Sequence, residues 1–259
     1  MFKIFNLYIL FILITPTVAE ENNFISCSIC ENHIKDKEYY VDAWGNPFHM
    51  YHKKIGQFCE CCSRIISQKI TNGGYKLIDG RHICSLCDAS IIRSSDIENS
   101  LKKVIQTLKQ NGVTNIQIDE IKIELIDRLK MSEYYKFEEI EHLKGLTKVN
   151  PNESKIFKVY ILSNLPKVQF EAILAHELLH VWLFKKNIKL DKSIMEAFCN
   201  LGSYLIYSLN DTKFSKIHLM SLENSNTNPD AYKYSILKSM LEKNSFKYII
   251  NNIETIDIK

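Results

Sequence analysis

Seven of the chain's eight cysteines fall between residues 27 and 87, and six of them form three C-x-x-C pairs: Cys27/Cys30, Cys59/Cys62 and Cys84/Cys87. His49 and His52, in "HMYH", repeat the same two-residue gap. Such a gap lets both side chains of a tight turn converge on one ion, and Zn²⁺ accepts four such nitrogen or sulfur ligands tetrahedrally. Eight ligands in four pairs make two closed, structural sites. A disulfide framework would have no use for histidines at matching spacing. Cys61 is surplus to this arrangement, and His33 has no partner spacing.

The order Cys-Cys, His-His, Cys-Cys, Cys-Cys resembles a LIM domain, as do "WGNPFH" before His49, "CSRII" from Cys62 and "YKLIDGRHICSLC" through the last pair. That resemblance implies that Cys27, Cys30, His49 and His52 hold one zinc and that Cys59, Cys62, Cys84 and Cys87 hold a second. His82 matches a position that is not a ligand. Two details depart from the common pattern. The fourth ligand is His52 where most LIM domains have cysteine, and "KKIGQF" separates the two halves by six residues where two are usual. Most such modules bind proteins, so a protein partner is expected here.

The opening "MFKIFNLYILFILITPTVAE" has one early lysine, an apolar run from Leu7 to Ile14 and then "TVA". This is the form of a secretory signal peptide over residues 1–19, cut after Ala19. The run falls well short of the roughly 20 apolar residues that span a bilayer, so a secreted or periplasmic protein without a stable membrane anchor is expected. Net charge is +3 and no dense Lys/Arg block appears, which gives no argument for nucleic acid.

After Ile91 the cysteines stop, except for Cys199. The expected organisation is a LIM-like module over 20–92 and a second domain over 93–259. "SSDIENSLKKVIQTLKQNG" reads as an amphipathic helix with a capping box, Ser95 and Glu98. Alternation at Ile116, Ile118, Ile121 and Ile123 predicts a strand, and "IFKVYILSNLP" a second. Gly202 is the single glycine from Leu146 onward, and helices are predicted at 167–186, 193–209 and 230–243.

"AHELLHVWL", residues 175–183, carries the chemistry. On a helix His176 and His180 share a face one turn apart, so both can bind one metal. Glu177 is then placed to take a proton from water held there. A catalytic zinc needs a third protein ligand. The metzincin pattern would require glycine at 183 and histidine at 186, but the chain has Leu183 and Lys186. The gluzincin pattern draws a glutamate from the next helix, and "SIMEAFCNLGSYLIY" offers Glu196. Asn200, one turn on, could bind the outer nitrogen of a histidine ligand. Tyr204, Tyr207, Tyr232 and His218 are candidates for stabilising an oxyanion, and the "KVYIL" strand could bind substrate backbone as an edge strand, by strand addition.

"VYILSNLPKVQFEAILAHELLHVWL" followed by "MEAFCN" resembles the plant organ-size regulators of the DA-one family, LIM-domain peptidases with bacterial relatives. The resemblance implies an α+β protein: a small two-zinc LIM-like module, then a mainly helical gluzincin-type metallopeptidase domain with a short sheet. It implies a zinc endopeptidase with one catalytic and two structural ions. Catalytic zinc would be held by His176, His180 and Glu196, with Glu177 as general base acting on peptide or protein substrates. No ubiquitin-interacting helices are expected before the LIM-like module. The alternative function is a non-catalytic LIM adaptor carrying an inactive peptidase fold.

Overall fold

The structure is a computed structural model that describes residues 25–135, 143–149, 156–225, 228 and 230–256, with the backbone of Thr15–Val18. It is a mixed α and β protein that divides into two units. One runs to Ile91 and includes Asn164–Pro166; the other begins at Ile92. The expected signal peptide lies outside the described residues except for Thr15–Val18. Among the described residues no helix is long and apolar enough to cross a membrane.

The cysteine-rich unit is built from short pieces. Strands β1 (Thr15–Val18), β2 (Glu38–Val41) and β3 (Pro47–Phe48) form one antiparallel sheet. Helical turns α1 (His52–Ile55) and α2 (Gln68–Thr71) precede the hairpin of β4 (Gly74–Lys76) and β5 (His82–Cys84), and α3 (Ser85–Asp88) follows it. Two turns repeat one design. Glu31 N–H donates to the Cys27 carbonyl and Ser63 N–H to the Cys59 carbonyl, at 2.9 and 2.8 Å. Glu31 and Ser63 each sit at positive φ, 62° and 57°, a conformation unusual for residues other than glycine. That local reversal turns the two sulfurs of each C-x-x-C pair the same way.

The unit's apolar core is small: Phe48 and Ile65 pack with Cys27, ringed by Ile29, Ile34, Tyr40 and Phe58. Buried Asp42 ties its layers together. Its Oδ1 accepts from Trp44 and Asn46 N–H at 2.9 Å, and its Oδ2 accepts from Ile65 N–H at 3.0 Å.

The helical unit contains α4 (Ile97–Gln110), β6 (Ile121–Ile126), α5 (Arg128–Tyr134), β7 (Gly145–Val149) and β8 (Phe157–Leu162). Then follow α6 (Lys167–Lys185), α7 (Lys192–Ser208), α8 (Lys213–Glu223), α9 (Ala231–Lys243) and α10 (Phe246–Asn252). The sheet order is β6-β8-β7, with β8 parallel to β6 and antiparallel to β7. This corrects the expected placing of "KVYIL" at an edge: β8 is the central strand, its backbone paired on both sides, and β7 lies outside it.

Two further expectations shift. The helix start at Ser95 is a 3₁₀ turn over Ser94–Asp96, and Asp96 caps α4 without a side-chain bond, so the capping box does not form. Glu98 instead pairs with Lys102 at 2.5 Å. The strand expected from Ile116 starts at Ile121, because Ile118–Glu120 close a 3₁₀ turn with a Gln117/Glu120 capping box.

Helix α6 is buried on all sides from Gln169 to Leu183, the pattern of a helix at the centre of a core. Helix α7 packs against it very closely. A Cβ on Gly202 would lie 2.8 Å from the Ala175 carbonyl oxygen, and Ser203 Oγ donates to the Ala172 carbonyl at 2.9 Å. Small residues at 202 and 203 bring the two helices near enough for their side chains to share one site.

Candidate metal centres

Among the described residues, three groups of side chains could each hold a metal ion. In the cysteine-rich unit the first is Cys27, Cys30, His49 and His52, and the second is Cys59, Cys62, Cys84 and Cys87. Each combines a C-x-x-C turn with a strand end leading into a helical turn: β3 into α1 for the histidines, β5 into α3 for Cys84 and Cys87. None of the eight cysteines is joined in a disulfide.

In the first group His49 Nδ1 lies 3.6 Å from Cys30 Sγ, and its Nε2 faces the His33 carbonyl at 3.2 Å, which fixes the ring. Both ring nitrogens of buried His52 lack a hydrogen-bond partner among the described residues. Burial, then the nearby His49, holds its imidazole below the ordinary value. A neutral, buried, unpartnered imidazole beside two thiols fits a metal ligand. In the second group Cys62 and Cys84 sulfurs lie 3.8 Å apart, and the Cys84 N–H points at Cys59 Sγ from 3.3 Å. Cys61 is buried outside this set, its thiol donating to the Asn164 carbonyl at 3.4 Å.

The third centre is assembled by α6, α7 and β7. His176, Glu177 and His180 are fully buried, Glu196 is 2% exposed and Asn200 3%. The two histidine Nε2 atoms lie 3.0 Å apart. Glu196 Oε2 stands 3.4 Å from one and 3.7 Å from the other. Ligands about 2.0–2.1 Å from a tetrahedral ion would be roughly 3.3 Å apart, so the triangle fits an ion of that size.

The outer nitrogens are also engaged. Asn200 Oδ1 accepts from His176 Nδ1 at 3.0 Å, and Cys199 Sγ faces His180 Nδ1 at 3.3 Å. Occupied outer nitrogens leave both Nε2 lone pairs facing the same point. Burial, with His176 adding to it, holds His180 well below the ordinary imidazole value, which keeps it in the ligand-competent neutral form.

Cys199 can be grouped with His176 and His180 instead of Glu196, since their ligand atoms lie within 4.8 Å of one another. Geometry favours Glu196, which faces both inner nitrogens while the sulfur faces an outer one. The Cys199 thiol is also pushed well above its usual range by burial, then by the Glu196 and Glu177 charges.

Glu177 sits beside this triangle. Burial pushes its carboxyl well above the usual range, and the Thr147 side chain works against that shift. Thr147 Oγ1 donates to Glu177 Oε2 at 2.7 Å. Glu177 Oε1 has no hydrogen-bond partner among the described residues. The buried Glu196 carboxylate facing two imidazole nitrogens is a donor set that a divalent cation would balance.

The sequence did not single out Thr147, Gly145 or Cys199 for this site; Cys199 falls within "MEAFCN", whereas no local motif marks Gly145 or Thr147. Of the expected oxyanion candidates, Tyr207 is buried and stacks on His218 with ring centroids 4.8 Å apart. Tyr232 is 68% exposed, and Tyr204 lies beneath the Lys238 ammonium, 5.8 Å from its ring centroid.

A family model described as DA1-like (Protein DA1) matches residues 106–258, a stretch that includes α6, α7 and β7. No curated protein and no solved structure matches the chain.

Proposed function

The chain belongs to the DA1-like family, and from that membership we propose that it is an exported, zinc-dependent endopeptidase with a LIM-like module that recognises a protein partner or substrate. The observation that carries this reading is the convergence of His176 Nε2, His180 Nε2 and Glu196 Oε2 beside the unpartnered Glu177 Oε1. His176, His180 and Glu196 would hold the catalytic ion, and the two cysteine-rich groups would hold structural ions. Zinc in such a set is a Lewis acid that acidifies water and polarises a carbonyl oxygen.

The chain's own residues do the rest. Glu177 Oε1 takes the proton of the attacking water and returns it to the leaving amine. Asn200 and Cys199 hold the two imidazoles in orientation. Strand β7, outside β8 and beside Glu177, is the natural place for an extended substrate backbone. An extended peptide is therefore the substrate class this site favours.

Glu177→Gln tests the reading, because it keeps size and polarity while removing basicity. The variant should retain its full zinc content, while turnover of a peptide library falls by about 10²-fold or more. Equal, zinc-dependent cleavage by both proteins would remove Glu177 from the mechanism. Zinc loading without cleavage by the wild type would favour the non-catalytic adaptor.

A further inference from the structure

Gly145 and Thr147 are alternate residues of β7 and so share one face of the strand, the face that meets Glu177 of α6. The Thr147 hydroxyl has one proton to give. Glu177 Oε2 lies at 2.7 Å and the Glu177 carbonyl oxygen at 3.3 Å, so the carboxylate is the better acceptor. A Cβ on residue 145 would lie 2.4 Å from Glu177 Oε1 and 2.7 Å from Ile173 Cγ2. Any larger residue there would have to displace the carboxylate.

The two oxygens of Glu177 are thus treated differently: one is tied to a hydroxyl, and the other is buried, clear and unpartnered. A general base needs that asymmetry. One oxygen must meet the proton of water, and the other must be fixed so that the carboxylate does not swing away from it. We propose that Thr147 and Gly145 are positioning residues for Glu177, the threonine anchoring Oε2 and the glycine keeping Oε1 clear for proton transfer. The assignment rests on the peptidase reading above. Its rival is a structural role, in which Thr147 only satisfies a buried carboxylate.

Thr147→Val removes the hydroxyl and keeps the shape. Measured on a peptide that the wild type cleaves, kcat should fall roughly 10- to 100-fold, the scale of one hydrogen bond to a charged group. KM and zinc content should stay as in the wild type. Thr147→Ser restores the hydroxyl and should recover kcat to within roughly threefold of the wild type. In a Glu177→Gln background, Thr147→Val should cause no further loss, because the group it positions has no basicity left to direct. Gly145→Ala should lower kcat in the same way, and it carries the test if the valine variant does not fold.

Wild-type kcat in Thr147→Val, failure of serine to rescue, or an equal loss in the Glu177→Gln background would each overturn the assignment while leaving the peptidase reading intact. Wild-type protein that loads zinc and cleaves no peptide would overturn both.

Discussion

In the cysteine-rich unit each candidate metal group takes its ligands from turns and strand ends, and the apolar core around them is little more than Phe48, Ile65 and their neighbours. In the helical unit the third group takes its ligands from the middle of two long helices packed closely enough for a Cβ on Gly202 to strike the Ala175 carbonyl. In the first arrangement an ion would be what holds the turns together. The second would present its ligands from helices already packed together by apolar side chains. The same kind of ion would thus be a folding nucleus at one end of the chain and a guest at the other. Metal dependence is therefore best examined unit by unit.

The largest expected effect is on folding. A structural zinc contributes on the order of 10 kcal/mol to folding at neutral pH, and a core this small has little to replace it. Chelation should therefore unfold residues 25–91 and leave the helical unit protected. Limited proteolysis with and without chelator reads this directly. Uniform protection in both conditions would break the contrast between the units.

A second, smaller effect separates Glu196 from Cys199. Glu196→Ala would remove the proposed third ligand, so metal analysis should find one ion fewer per chain, with both cysteine-rich groups still filled. Cys199→Ala removes only a support of the His180 ring, so the ion should stay, with affinity lowered by about 10- to 100-fold. The reverse result would assign the third ligand to sulfur. The smallest effect should come from Cys61→Ser, since Cys61 lies outside both four-residue groups. Zinc content should be unchanged, and a lost ion would place this cysteine in a metal set.

The sequence is most legible where function depends on spacing along one segment. C-x-x-C turns and the 176/180 pair meet that condition, and α6, α7 and α9 fall within a residue or so of their expected limits. Glu196 was legible as a carboxylate in an apolar stretch, because burying it without a partner is costly. Helix α8 was not read, and its buried face explains why: Ser215, His218 and Ser221 stand there among Ile217 and Leu222 and blur the apolar period. The strand β7 was missed for a different reason. Gly145 and Thr147 acquire meaning only by touching Glu177, about thirty residues along the chain, and no local pattern encodes that contact.

The burial of His176, Glu177 and His180, none of them exposed to solvent, also bears on how quickly an ion could come and go. A competing chelator, like water or a peptide substrate, would have to reach ligands that solvent does not touch in this state, so exchange, like substrate entry, would wait for the residues around the site to part. The rate of exchange is then the rate of that opening. Adding more chelator would not hasten it once every opening is already captured. A site of modest affinity could on these terms keep its ion far longer than its equilibrium constant suggests, with the fold acting as the clock.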